Sequence, residues 1–270
     1  MLDTSFLLQF LLWLLGCAAL VSAIRAFLAG RAGTWRRRLA VAGIVVAALG
    51  VGLSVVQFAN FLGHDIEDAE TADGNCYYLA LAMHNYRDDH GRFPPAFHAS
   101  PQGCPLLSWR VLLLPYIEQY ALYRKFHLEE PWDSAHNSKL LKEMPSAYAA
   151  PRWGVQPGPS YTYWHVFVGE TAAFTGAQGL RYPEDFPDEP ENTILLVMGG
   201  PPVPWSKPDD IDYGPEIPLP NLFNVRPGGF LAAMCDARVH FVKTGVSERS
   251  IRAAVTRNGG EKLEPLWWSH

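Results

Sequence analysis

The sequence predicts an α+β fold: two N-terminal transmembrane helices, the second continuing into a long helix packed on an antiparallel β-sheet, with extra short helices between. Three observations predict it. Nineteen uncharged residues run from Phe6 to Ile24, and a second uncharged stretch runs from Leu39 to about Leu62. After residue 74 the apolar residues recur at helical spacing, and beyond Tyr161 the pattern becomes extended. A third feature, the Arg-rich segment between the two uncharged stretches, orients them.

A bilayer core of about 30 Å is crossed by roughly 20 apolar residues, and a backbone in lipid must satisfy its own hydrogen bonds. The expected organisation is a two-helix anchor over 1–63, with spans at about 5–25 and 39–62, a basic cytoplasmic loop at 25–38, and an extracytoplasmic domain over 64–270. Arg25, Arg31, Arg36, Arg37 and Arg38 lie in or beside the loop, whereas the N-terminal tail offers only Asp3. The positive-inside rule then places the N-terminus and the C-terminal domain outside the cytoplasm, in a multi-pass protein of the inner membrane. A cleaved signal peptide is disfavoured because the first basic residue follows the apolar run.

Of 27 acidic residues only Asp3 precedes position 64, and of 22 basic residues five do, so the remaining 26 and 17 give that domain a formal charge of −9. Phosphate binding needs clustered Lys and Arg, which excludes nucleic acid as the expected partner. The expected partners are the lipid bilayer, envelope proteins and further copies of the chain. Cys76, Cys104 and Cys235 form no C-x-x-C pair; either a Cys76–Cys104 disulfide or free thiols fit the spacing.

Along the domain, Cys76, Leu79, Met83 and Tyr86 form one stripe of a helix from Asn75 to about Asp88, ended by Gly91 and Pro94-Pro95. Ser108 is placed to cap a helix starting at Trp109. Pro115 breaks it, and a second piece from Tyr116 to Phe126 turns Ile117, Leu122 and Phe126 inward. A short helix follows over Asn137 to Met144. Strands are expected at Tyr161–Val168, at Thr193–Met198 (closed by Gly199-Gly200 and Pro201-Pro202), and on either side of Cys235-Asp236-Ala237-Arg238 as a hairpin. Ser247 caps a last helix with Ile251, Ala254 and Val255 on one face.

Chemistry-bearing residues are sparse. His84, His90, His98, His127, His136, His165 and His240 form no H-x-x-x-H or H-E-x-x-H motif, and His84 reads as a hydrogen-bonded structural histidine. Asp209, Asp210 and Asp212 are the candidate metal ligands, three carboxylates beside Pro208 and Gly214 that could turn toward one calcium; a solvated acidic turn is the competing reading. Tyr161, Tyr163, Trp164, Trp205 and Tyr213 form either an aromatic platform or hydrophobic core. No catalytic residue and no cofactor is expected, since neither a G-x-S-x-G nor a phosphate-binding glycine loop is present.

The segments "ALAMHNYRDDHGRFPPA" (80–96), "LLSWRVLLLPYIEQYALYRKFHLEEPWDSAHN" (106–137), "NTILLV" (192–197), "PWSKPDDIDY" (204–213) and "GGFLAAMCDARVHFV" (228–242) resemble a planctomycetal family of exported pilin-like proteins carrying a conserved domain of unknown function, number 1559. "IRAAVTRNGGE" (251–261) is similar to the ending of its tryptophan-rich subgroup. The resemblance implies a type IV pilin-related architecture, a long helix on an antiparallel sheet, and no enzymatic activity. The chain departs from the family's leader, having no Gly-Phe junction and no Glu near the helix start. It departs also from the late motif of His, nine residues, then Asp-Gly: Asp236 is kept, Ala237 stands for the Gly, and Arg226 for the His. Because Ala at positive φ costs about 1 kcal/mol relative to Gly, a different turn is expected there. The resulting expectation is a non-enzymatic, membrane-anchored, extracytoplasmic protein with a structural or protein-interaction role. The alternative is a module binding carbohydrate or calcium, and the third reading is a hydrolase.

Overall fold

The computed structural model describes residues 21–22, 25, 34–149, 158–261, 263 and 268. The chain divides into two compact units, Met1–Glu67 and Asp68–His270. A continuous helix, α1, runs from Thr34 to His90, 57 residues without a proline to break it. In its first part the side chains of Val41, Val45, Leu53 and Val55 are exposed.

The two expected membrane spans are corrected. Spanning needs about 20 consecutive apolar residues, and among the described residues no helix is long and apolar enough to cross a membrane. The stretch expected as the second span is instead part of α1, which opens on Arg36, Arg37 and Arg38 and carries Asp65, Glu67, Asp68 and Glu70 in its interior. The expected first span lies outside the described residues except at Val21, Ser22 and Arg25.

The remainder is α+β, as expected. Strands β1 (Phe97–Ala99) and β2 (Pro105–Ser108) pair antiparallel and lead into α2 (Trp109–Leu112), a 3₁₀ turn at Leu114–Ile117 and α3 (Tyr120–Tyr123). Two further 3₁₀ turns, Asn137–Glu143 and Ser146–Tyr148, precede β3 (Tyr161–His165) and β4 (Phe167–Val168). Then come β5 (Ile194–Pro204), β6 (Ile211–Asp212), β7 (Gly229–Met234), β8 (Val239–Lys243) and α4 (Glu248–Val255). Strands β3-β5-β7-β8 form an antiparallel sheet in that order, and β4 pairs with β6 in parallel.

The sheet is covered on both faces because its strands alternate. Leu196, Met198, Leu231 and Ala233 pack into one cluster with Cys76, Leu79 and Met83 of α1. Val197, Phe230, Ala232 and Val242 pack into the other with Ile251, Ala254 and Val255 of α4. Each fully buried aliphatic contributes roughly 1.5–3 kcal/mol, so the period-3.6 stripe read from the sequence is what fixes α1 to the sheet. Cys76 and Cys235 are buried and Cys104 is exposed, all three as free thiols.

Local chemistry accounts for three departures from the sequence reading. The helix expected over Tyr116–Phe126 is reduced to α3, because Glu118 adopts φ 60° and ψ 20° and ends the preceding turn. Ile117, Leu122 and Phe126 still point inward. Strand β5 is not closed at Gly199-Gly200 but runs to Pro204, with Gly199–Pro202 forming a bulge between the pairs Trp164↔Met198 and Thr162↔Val203. The Asn224 side chain substitutes for a strand partner there: its Oδ1 accepts from Gly200 N at 3.0 Å and its Nδ2 donates to Gly200 O at 2.7 Å. A Cβ on Gly199 would meet Leu222 O at 2.4 Å, so this glycine marks a close backbone approach rather than a chain reversal.

The third departure is the β7–β8 hairpin, where no alternative turn forms. Ala237 takes φ 66°, held by Met234 N donating to Arg238 O (2.8 Å), Ala237 N donating to Met234 O (2.9 Å), and Arg238 N donating to Asp236 Oδ1 (3.0 Å). Strand register at both ends leaves the fourth turn residue only the left-handed region. Ala237→Gly is therefore expected to stabilise the domain by about 1 kcal/mol. An unchanged or lowered urea midpoint in the variant would refute strain at this residue.

Candidate functional site

Ser108 begins the most polar buried region. It caps α2 by accepting from Arg110 N at 3.3 Å, and the same hydroxyl accepts from Arg110 Nη1 at 2.7 Å. That turn directs the guanidinium inward, over the Trp109 ring at 4.6 Å and wholly away from solvent. Arg110 Nε donates to the Trp164 carbonyl at 2.9 Å, and Nη2 donates to that same carbonyl. Tyr148 Oη donates to the Arg110 carbonyl at 2.8 Å.

The counter-charge arrives from one hundred residues downstream. Asp210 Oδ1 lies 2.8 Å from Arg110 Nη2, with side-chain exposures of 3% and 0%. The same oxygen accepts from Trp109 Nε1 and from Val166 N, each at 3.1 Å. His165 donates from Nε2 to the Pro201 carbonyl at 2.8 Å, while its Nδ1 stands 3.6 Å from Asp210 Oδ1. Around this pair, Trp205 stacks on Tyr148 with ring centroids 5.9 Å apart and donates from Nε1 to Leu141 O at 3.0 Å.

A buried ion pair gains over its desolvation cost only when its remaining hydrogen-bonding positions are filled. Here they are filled by backbone groups at the outer edge of β3, where Trp164 offers its carbonyl and Val166 its N–H. The cluster therefore closes one edge of the sheet and binds α2 and the 205–212 segment to it. Three of its members are engaged: a guanidinium does not deprotonate, the Asp210 oxygen is held by three donors, and the Ser108 hydroxyl is engaged by Arg110, while His165 Nδ1 is buried without a hydrogen-bond partner.

The candidate metal residues are not brought together. Asp210 is consumed by Arg110, Asp209 forms a surface pair with Lys207, and Asp212 is exposed on β6. Among the described residues no group of three His, Cys, Asp or Glu side chains is placed to hold a metal ion. The histidines are dispersed as well: His90 stacks on Tyr86, His127 on His136 at 3.5 Å, and His240 on Trp268 at 3.8 Å. Tyr163, Trp164, Trp205 and Tyr213 are core residues; of the proposed platform Tyr161 alone is exposed. The residues standing for the late His and Asp go separate ways, Arg226 to Asp73 and the Phe241 ring, Asp236 to Arg238.

His84 is the structural histidine expected from its helix face. Arg87 Nη1 lies 2.8 Å from His84 Nδ1, and since a guanidinium only donates, that nitrogen is the acceptor and the ring is neutral. Burial first, then the Arg87 charge, lower its pKa below the ordinary histidine range, against smaller opposing effects of the Cys235 backbone, Asp88 and Asp236. The unfolded chain thus takes up a proton near pH 6.5 that the folded chain takes up only at lower pH. Stability is fully present above about pH 6.5 and falls as pH drops toward the folded value. His240, lowered by its own burial, acts in the same direction. Urea midpoints at pH 7.5 and 5.5 should differ more in the wild type than in His84→Gln; equal differences would remove His84 from this role.

Residues 74–189 match the family described as Protein of unknown function (DUF1559). The DUF1559 match takes in the packed end of α1, the Ser108–Trp109–Arg110 turn and His165, and stops before Asp210, so half of the ion pair lies beyond it. No curated protein and no solved structure matches the chain.

Proposed function

We propose that this protein is a non-enzymatic, pilin-like member of the planctomycetal DUF1559 proteins, with a structural or protein-interaction role on the extracytoplasmic side of the cell envelope. The observation that supports it most is the self-neutralised centre of the domain. Arg110, Asp210 and Ser108 are spent on one another and on sheet backbone, and His165 gives its Nε2 to the Pro201 carbonyl while its buried Nδ1 has no hydrogen-bond partner. A pilin-like reading is supported by the long α1 lying with its Cys76–Leu79–Met83 stripe against an antiparallel sheet. The acidic character of residues 64–270 supports a surface partner other than nucleic acid.

Crosslinking in intact cells followed by mass spectrometry tests the reading. Expected are links from surface lysines such as Lys125 and Lys139 to envelope proteins or to a second copy. Links confined to cytoplasmic proteins would overturn it.

A further inference from the structure

The turn that follows α4 carries a chemistry that neither the buried network nor the envelope role uses. Asn258 is followed there by Gly259, the single Asn-Gly step in the sequence. The turn is pinned on either side. Arg257 N donates to Thr171 O at 2.8 Å, Asp188 N donates to Arg257 O at 3.1 Å, and Gly260 N donates to the Asp188 carboxylate at 3.2 Å. Between these anchors Asn258 and Gly259 are both exposed. Elsewhere asparagine side chains are held: Asn137, Asn192 and Asn224 donate from Nδ2 to His127 O, Glu189 Oε2 and Gly200 O, and Asn221 Oδ1 accepts from Phe223 N. The Asn258 side chain has no such partner among the described residues. Its neighbour must be glycine: a Cβ on Gly259 would meet Glu261 Oε2 at 1.7 Å, an oxygen fixed by Thr256 Oγ1 at 3.0 Å.

We propose that Asn258–Gly259 is a self-modification site, at which the asparagine amide is converted to aspartate and isoaspartate. Asparagine is a thermolabile residue, and the missing Cβ of Gly259 leaves its backbone nitrogen open to the preceding side chain. Attack within one chain also avoids the entropic cost of bringing two molecules together. Gly259 N forms a bond to Asn258 Cγ, the Cγ–Nδ2 bond breaks, and Nδ2 leaves as ammonia with the proton that Gly259 N gives up. Water then opens the succinimide at either carbonyl, which yields aspartate, or isoaspartate with the backbone rerouted through the side-chain carbons. Water is the only co-reactant. Both products add a negative charge to a turn that already holds Asp188 and Glu261. The proposal goes beyond the envelope role and does not rest on it, so the crosslinking test stands whatever happens at Asn258.

The experiment is prolonged incubation of the folded full-length protein in neutral buffer, followed by isoelectric focusing and by peptide mapping with mass spectrometry. A more acidic species is expected to accumulate, with amide replaced by acid at residue 258 and retained at Asn137, Asn192, Asn221 and Asn224. Asn258→Gln, a substitution at an exposed and unbonded side chain, should fold as the wild type does and form no such species, because its longer side chain cyclises far less readily. A synthetic peptide spanning 251–261 serves as the reference for the unfolded segment. If residue 258 keeps its amide in the folded protein while the peptide loses it, the pinned turn forbids the attack and the proposal is overturned. An equal acidic shift in Asn258→Gln overturns it as well.

Discussion

Arg110→Met should destabilise the domain by about 3–5 kcal/mol, the cost of breaking a buried ion pair by removing one partner. Methionine fills much of the arginine's volume, so the loss is not a cavity effect. What remains is the Asp210 carboxylate, 3% exposed, with its neutralising charge gone, the Trp109 and Val166 N–H groups bonded to it and His165 Nδ1 3.6 Å away. The Trp164 carbonyl also loses its Arg110 donors. The second substitution that isolates the charge is Asp210→Asn, which retains an acceptor for Trp109 and Val166 while removing the negative charge. The double variant should therefore recover at least about 2 kcal/mol of the single variant's loss, leaving the unpaired carbonyl as the residual defect. Urea denaturation at neutral pH gives both numbers. A single-variant loss below about 1 kcal/mol would mean that water reaches Asp210 and that the pair is not a closure of the sheet edge.

The elements whose causes are local were legible in the sequence. Ser108 and Ser247 both cap the helices expected of them, through Arg110 N and Ser250 N. The Cys76–Leu79–Met83 stripe and the β7–β8 hairpin depend on spacing within a few residues and appear where spacing puts them. What was hidden depends on distant partners. Nothing near Asp210 in the sequence distinguishes it from Asp209 and Asp212, and only the fold, which brings Arg110 beneath it, separates one buried carboxylate from two at the surface. Likewise Gly199-Gly200-Pro201-Pro202 reads locally as a strand end, and Asn224, more than twenty residues away, makes it a bulge. Ala237 shows the converse: a local preference against positive φ is overruled by the register of two strands. The N-terminal region differs again: hydropathy predicted two spans there, whereas among the described residues no helix is long and apolar enough to cross a membrane.

Asn137 offers the other large effect, and here the partners are near in sequence, at His127, Glu130 and Pro131. The side chain is wholly buried, and the segment from Phe126 onward folds around it. Its Oδ1 accepts from His127 N at 3.0 Å, and its Nδ2 faces the carbonyls of His127, Glu130 and Pro131 at 2.9, 3.1 and 3.2 Å. Asn137→Ala would leave one N–H and up to three carbonyls without that partner. At about 1 kcal/mol or more for each group left unsatisfied, a loss of about 2–4 kcal/mol is expected. Asn137→Asp is the sharper test. It preserves the acceptor for His127 N but replaces the donating amide with a second oxygen among three carbonyls, so it should be at least as damaging as alanine at neutral pH. Protonating the aspartate restores one donor, and the Asp variant should regain stability relative to the Ala variant as pH falls toward 4. If Asp were tolerated at neutral pH, the amide donors would not be what closes the 126–137 loop, and the stacking of His127 on His136, with centroids 3.5 Å apart, would have to carry that closure instead.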